Sequence, residues 1–484
     1  MRTSRLILPL PLLFLGIHFH LHAQSINEKK FAERVSQVRL LATVRDLVSF
    51  GNRMGGTASG DQAAQYILTR FKSFGLDAEL VEEPEGLRFD DVSWTLKVTQ
   101  PRRLRALIKN EWLAGFSPSV EKTKATLVYW MDEDMIEDSV RGKIVLTERF
   151  VSPRLYEKVT NMGAVCILSY APNLPHAYAT FAMITNLKGS LKNPIPLFNI
   201  SRTNGERLKA EVAKGIVALE FSAKSEIEER SAKSVIATLQ GTSDSYYIVC
   251  AHGDSDAGGP GADDNASGVS GVLELARILS SLVRSGSFTK PNHSIKFVVW
   301  GSEYSSAEHY LRTNRADLDK IMGVMNFDEI GTGATRNCIY FESNDVPHNE
   351  KLLRTFHRVG EDYVGKRGFW SESTTNPSQG GTDSYVFLPE YLNRLGLPQV
   401  KIPSTTIYTA AWNELRTIPQ TEGWSARSWK GHPDSVTVDY SAYYHSSLDV
   451  PALTTEKEPF NMAWGVKAVG IALLRLAWEN DPRP

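Results

Sequence analysis

Apolar residues return along this chain with two different periods, and the period changes from region to region. Between residues 25 and 50, Phe31, Val35, Val38, Leu41 and Val44 recur every three or four positions, which predicts a helix. A second helix is expected from Asp61, with Ala64, Ile67, Leu68 and Phe71 on one face and Gly75 placed to end it. From about 95 to 230 the texture differs. Short β-rich runs dominate at 125–130, 143–146, 165–168 and 194–200, with helices expected at 155–162 and 204–214. None of these runs carries a cluster of ligand-type side chains. From Ser234 onward strands and helices alternate: 235–239, 246–251, 269–283, 294–300 and 324–327, with a closing apolar helix at 462–478. That alternation predicts an α/β fold with a mixed, mainly parallel sheet sandwiched by helices, interrupted by an inserted β-rich domain.

Composition narrows this picture. At 484 residues the chain exceeds one ordinary domain. Hydrophobic residues at 42% and charged residues at 23% fit a globular chain throughout. A net charge of −1 gives no reason to expect nucleic acid as a partner. At the start, Arg2 and Arg5 precede an apolar run from Leu6 to Ile17, followed by Leu21-His-Ala23. This is the pattern of a secretory signal peptide cut after Ala23, and the run is too short to span a bilayer. No cysteine lies nearby, so no stable membrane anchor is expected and the location is secreted or periplasmic. Cys166, Cys250 and Cys338 form no C-x-x-C pair, which argues against a thiolate zinc site.

Candidate chemistry is concentrated after the expected strands. The strand at 246–251 runs into His252-Gly-Asp254, then Gly261-Ala-Asp-Asp264-Asn265-Ala-Ser-Gly268. One imidazole and several carboxylates on a Gly-rich loop suit Zn²⁺ or a similar divalent ion. Asp264 and Asn265 also read as caps of the helix that follows. The strand at 294–300 runs into Gly301-Ser-Glu303-Tyr304, and the strand at 324–327 into Asp328-Glu329. Glu329 reads as a solvated carboxylate. Asp383 lies on a polar loop, and Tyr444-His445-Ser-Ser-Leu-Asp449 precedes the last helix. Trp412, Trp424 and Trp429 could line a pocket or pack against the core.

These five segments, in this order, resemble the secreted zinc exopeptidases of the bacterial leucyl aminopeptidase and aminopeptidase Y type, whose relatives include glutamate carboxypeptidases and glutaminyl cyclases. The resemblance covers roughly 30–90 and 231–484, and residues 118–222 resemble the protease-associated domain inserted in many members. It implies a signal peptide at 1–23, an N-terminal part of the peptidase domain at 24–117, the insert at 118–222 and the catalytic domain at 223–484. It implies that His252 and Asp328 bind one zinc ion, that His445 binds a second, and that Asp264 bridges them. Asp254 would orient His252, Asp449 would do the same near His445, and the Asp264–Asn265 peptide would be cis. Glu303 would be the general base, passing a proton from the attacking water to the leaving amine. The substrate would be the N-terminus of a peptide or protein.

This sequence departs from the family pattern at one place. Two adjacent Glu residues are usual, the first as base and the second as ligand, and here Glu303 is followed by Tyr304. Three arrangements are open: Tyr304 binds as a phenolate, Glu308 folds back as a substitute, or a single metal sits at His252, Asp264 and Asp328. A single metal would also suit a glutaminyl cyclase or a carboxypeptidase. A non-catalytic binding protein on the same fold is the third reading, and retention of Glu303 argues against it.

Overall fold

The computed structural model describes residues 26–105, 107–108, 111–130, 137–149, 151–170, 193–255, 259–333, 338–343, 350–377, 382–410, 440 and 443–479. The expected signal peptide and the three tryptophans of 412–429 lie outside these residues.

Two sheets organise the chain. The larger has eight strands: β1 (Asp77–Glu82), β9 (Lys233–Leu239), β10 (Tyr246–His252), β11 (Ser294–Trp300), β12 (Ile321–Phe327), β13 (Cys338–Ser343), β14 (Glu372–Pro377) and β15 (Ser404–Tyr408). Their order is β1-β9-β11-β10-β12-β15-β13-β14. The central strands β11, β10, β12 and β15 run parallel, while β1, β9 and β13 pair antiparallel to their neighbours toward the core. Every residue of β10 is buried. Alternate residues face opposite layers. Tyr247, Val249 and Ala251 pack with the helices Ala58–Ser73, Gly268–Arg284 and Phe460–Leu476, and Tyr246, Ile248 and Cys250 pack on the other face with Ala307, Tyr310 and Leu392. A strand apolar on both faces belongs at the centre of a parallel sheet covered by helices.

The register aligns the strand ends. His252 lies opposite Trp300, and Cys250 lies opposite Asn326. His252, the turn after Trp300 and the residue after Phe327 therefore share one rim. Ligand sites of open α/β sheets form at this carboxyl edge.

The second sheet comprises β2 (Gly86–Gln100), β3 (Trp112–Leu113), β4 (Val120–Tyr129), β5 (Ile144–Thr147), β6 (Cys166–Ser169), β7 (Leu197–Asn199) and β8 (Ala218–Arg230), in the order β2-β8-β4-β5-β6-β7-β3. It has its own apolar core around Leu146, Leu168, Phe198 and Phe221. This sheet is wider than the 118–222 expected for the insert, because β2 and β8 pair antiparallel from Gly86↔Arg230 to Gln100↔Ala218. The outer half of β8 is mostly exposed, so it lacks the apolar alternation that marks a strand.

The helix expected over 25–50 is two helices, at 26–32 and Gln37–Ser49. Ser36 accepts a hydrogen bond from Arg39 N and starts the second one. The buried face of that helix is Leu40, Val44 and Leu47, and Val38 is exposed.

Candidate metal centre

The loop after β10 is held at both ends by a residue far away in sequence. Arg53 is only 1% exposed. Its guanidinium donates to the carbonyl oxygens of Gly253 (3.2 Å), Pro260 (2.5 Å) and Gly261 (2.9 Å), and its backbone N–H donates to Ser255 Oγ at 3.2 Å. Gly261 has φ 54°, and a Cβ there would lie 2.4 Å from Asp264 O, so the turn requires glycine. Asp264 then takes an extended conformation (φ −105°, ψ 94°), and its peptide bond to Asn265 is cis. Asn265 anchors the turn by donating Nδ2–H to Phe327 O at 2.9 Å and accepting from Gly268 N at 3.0 Å.

Asp449 is part of the same clamp. Its carboxylate accepts from Asp263 N at 3.0 Å, Asp264 N at 3.1 Å and the Tyr440 hydroxyl at 3.1 Å. Asp449 thus fastens the backbone that carries Asp264, where the resemblance implied that it would orient His445. Asp263, fully buried, accepts from Gly331 N and Thr332 Oγ1 and ties the turn to the segment after β12.

The side chains meet above this loop. His252 Nδ1 lies 3.1 Å from Asp254 Oδ1, which fixes the ring. Its Nε2 lies 3.1 Å from Asp264 Oδ1 and 3.5 Å from Asp328 Oδ1. The other oxygen of Asp264 lies 3.0 Å from His445 Nε2. Ligand atoms of His252, Glu303 and Asp328 fall within 4.8 Å of one another, the one such group among the described residues. Asp328 Oδ1 is buried with no hydrogen-bond partner among the described residues. An orphaned carboxylate oxygen beside an imidazole held from its far side fits a cation such as zinc.

The electrostatics point the same way. Burial works against a charged His252, but the neighbouring carboxylates of Asp254, Asp264 and Asp328 outweigh it and raise its pKa well above the usual value. Burial also opposes ionisation of Asp264, and His252 and His445 reverse that and lower its pKa. For Glu303, burial raises the pKa well above the carboxylate range; His252 offsets part of this, and Asp383, Asp328 and Asp254 add to it. Burial lowers Arg53 to about 10, against the pull of Asp449, Asp254 and Asp264. Five carboxylates thus surround two imidazoles, an excess of negative charge that a divalent cation relieves.

Glu303 opens the helix Glu303–Thr313, with its backbone N–H 3.4 Å from Asp254 Oδ2. Its neighbours are braced from the link between the two sheets. Arg88 Nη1 donates to Ser302 Oγ at 3.0 Å, and Glu83 accepts from Ser305 Oγ at 2.8 Å and from Ser306 Oγ. Tyr304 packs its ring against the apolar cluster of Trp300, Ala307 and Phe387. Glu308 accepts a hydrogen bond from the Tyr391 hydroxyl.

Two residues given little weight from sequence stand inside the site. Asp383 is fully buried, and neither of its oxygens has a hydrogen-bond partner among the described residues. Glu329 is 3% exposed with φ 52°, which corrects its reading as a solvated carboxylate. Arg53 was missed altogether. The only signal it left in the sequence is a lone arginine in the Gly-rich loop Asn52-Arg-Met-Gly-Gly.

A mixed sheet with imidazole and carboxylate groups gathered at the ends of its parallel strands is the layout of the zinc-exopeptidase fold. Residues 234–468 match the model of Peptidase family M28. It is 30% identical over 326 residues to a probable leucine aminopeptidase 2 of Arthroderma benhamiae, covering 65% of this chain and 62% of that protein. The chain spans less than two thirds of the length of the curated relatives it matches. Among solved structures, a peptidase M28 precursor from Shewanella amazonensis superposes with a TM-score of 0.65 at 17% identity, covering 95% of this chain and 98% of that one. A zinc aminopeptidase from Bacillus subtilis superposes with a TM-score of 0.60 at 21% identity, covering 92% and 96%. Both share the fold described above.

Proposed function

We propose that this chain is a zinc-dependent aminopeptidase acting on peptide N-termini outside the cytoplasm. The observation that carries this reading is the convergence of His252, Glu303 and Asp328 within 4.8 Å. Such a set combines metal ligands with a proton carrier, and the leucine aminopeptidase relative supports the choice of bond. The export pattern at 2–23 supports the location.

His252, Asp264 and Asp328 would hold the ion. When bound, zinc supplies a Lewis acid and brings the pKa of a water near 7. The chain does the rest. Asp254 holds the His252 ring in place. Glu303 takes the proton as water adds to the carbonyl carbon of the first peptide bond. It then returns that proton to the amine nitrogen as the C–N bond breaks. Its burial matters here, because a carboxylate whose pKa is pushed upward is the stronger base.

The second sheet fits a protease-associated type of insert, since it carries its own core and lies in sequence between β1 and β9. The test of the whole reading is release of chromophore from leucyl and other aminoacyl anilides. Turnover that stops with a chelator and returns with zinc supports it. Absence of chelator-sensitive turnover on any such amide overturns it.

A further inference from the structure

We infer that Glu83 and Arg88 are positioning residues for Glu303, so that the two connectors joining the sheets set where the proton carrier stands. The inference rests on the peptidase reading proposed above and deepens it.

The chain leaves the larger sheet and returns to it through two short connectors, residues 83–85 and 231–232. They lie side by side: Glu83 N donates to Ala232 O at 3.0 Å, and Arg88 Nε donates to Arg230 O at 3.3 Å. Both side chains reach the first turn of the helix Glu303–Thr313. Glu83 is 5% exposed, and its carboxylate accepts from Ser305 Oγ at 2.8 Å and from Ser306 Oγ. Ser306 Oγ in turn accepts from Ser302 N at 2.8 Å, which ties Glu83 to the residue just before Glu303. Arg88 Nη1 donates to Ser302 Oγ at 3.0 Å, and its Nη2 lies 3.6 Å from Glu83 Oε2. On the other side, Asp254 Oδ2 lies 3.4 Å from Glu303 N. The start of the helix is therefore held between the metal loop and the connectors.

This clasp is polar where apolar packing would serve stability as well. A buried ion pair adds little net stability, because desolvation offsets the attraction. Its carboxylate suits the positive end of a helix, and three serine hydroxyls bond to it or to Arg88 along fixed directions, which apolar contact does not impose. The turn also has no slack toward the N-terminal loop, since a Cβ on Gly55 would lie 2.2 Å from Gly301 O and 2.8 Å from Ser302 Oγ. A general base works only within hydrogen-bond reach of its proton, and a displacement of about 1 Å can cost about 10²-fold in rate. The clasp therefore bears on turnover more than on substrate or metal binding.

The test is steady-state hydrolysis of leucyl anilide by the full-length protein at saturating zinc, with zinc per chain and a urea melt measured on the same samples. Absence of chelator-sensitive turnover in the parent overturns the peptidase reading and this inference with it; the remaining outcomes bear on the inference alone. Glu83→Ala should lower kcat about 10–100-fold, with KM and zinc content within about twofold of the parent. Glu83→Gln, which restores an acceptor for the serine hydroxyls, should recover most of that loss. Ser305→Ala, at an exposed helix position, should lower kcat about two- to fivefold in the parent and have no further effect in Glu83→Ala, because both act through one clasp. Parent kcat in Glu83→Ala overturns the inference, as does a fall that Glu83→Gln does not recover or that loss of zinc accounts for. If Glu83→Ala does not fold, Ser305→Ala decides alone, and parent kcat there overturns the inference.

Discussion

Nη2 of Arg53 donates to the carbonyl oxygen of Gly261 at 2.9 Å, and the same guanidinium reaches Gly253 at the opposite end of the loop. One side chain thus sets the distance between the residue after His252 and the turn before Asp264. A fork of several N–H groups can hold two strands of backbone at once, and an ammonium cannot. Arg53→Met should lower stability by about 3 kcal/mol, because it leaves buried carbonyls without donors. Arg53→Lys should keep the fold yet weaken zinc binding about tenfold or more, since the loop ends are no longer fixed. Urea melts and a competition titration with a zinc-binding dye would show both effects. Parent-like zinc affinity in Arg53→Lys would mean that the loop holds its shape without the fork.

Removing the proton carrier should separate chemistry from binding. Glu303→Gln keeps the size and helix position of the side chain but cannot take a proton. We expect kcat to fall by about 10²–10⁴, with KM and zinc content close to the parent values. Loss of zinc in this variant would instead make Glu303 a ligand, which its place in the convergent group leaves physically accessible.

The Asp254 carboxylate has two partners, His252 Nδ1 at 3.1 Å and Glu303 N at 3.4 Å. It therefore couples the ring of a ligand to the start of the helix bearing the base. Asp254→Asn retains an acceptor but loses the charge that makes the imidazole a better ligand. Zinc affinity should fall about 10–100-fold, with kcat of the zinc-saturated enzyme also reduced. An unchanged affinity would show that the His252 ring is oriented by the Asp254 backbone carbonyl alone, which also lies 3.1 Å from Nδ1.

The parts of this site that were legible in the sequence are those placed by a strand directly ahead of them. β10, β11 and β12 are apolar on both faces, so each announces itself, and His252, Glu303 and Asp328 stand at or just past their ends. The clamp around them left no such mark. Arg53 and Asp449 act on backbone groups roughly 200 residues away, and no local pattern encodes a partner at that separation. β14, with the sequence Glu-Ser-Thr-Thr-Asn-Pro, is a strand that hydrophobic periodicity cannot find. β2 and the outer part of β8 hide for a related reason, since exposed charged residues such as Lys97, Glu226 and Glu228 break the apolar alternation. The bracing of Ser302 by Arg88 joins such a strand to the base helix, so the contact most relevant to the insert was also the least visible.

Asp91, on that same strand β2, gives a pH test of how the insert meets the N-terminal loop. Burial raises its pKa to about 6, with the Asn52 amide, 3.4 Å away, pulling in the opposite direction. An acid whose pKa is higher in the folded than in the unfolded chain favours folding while protonated. Its contribution is full below about pH 4 and is lost as pH rises through 6. Asp91→Asn mimics the protonated form at every pH. The variant should therefore match the parent near pH 4 and exceed it at pH 7.5 by about 1–2 kcal/mol, a two-unit shift reduced for partial exposure. Urea unfolding at the two pH values gives the comparison. A variant less stable than the parent at pH 7.5 would mean that the Asp91 carboxylate is held in its charged form by Asn52, and that burial does not dominate at this junction.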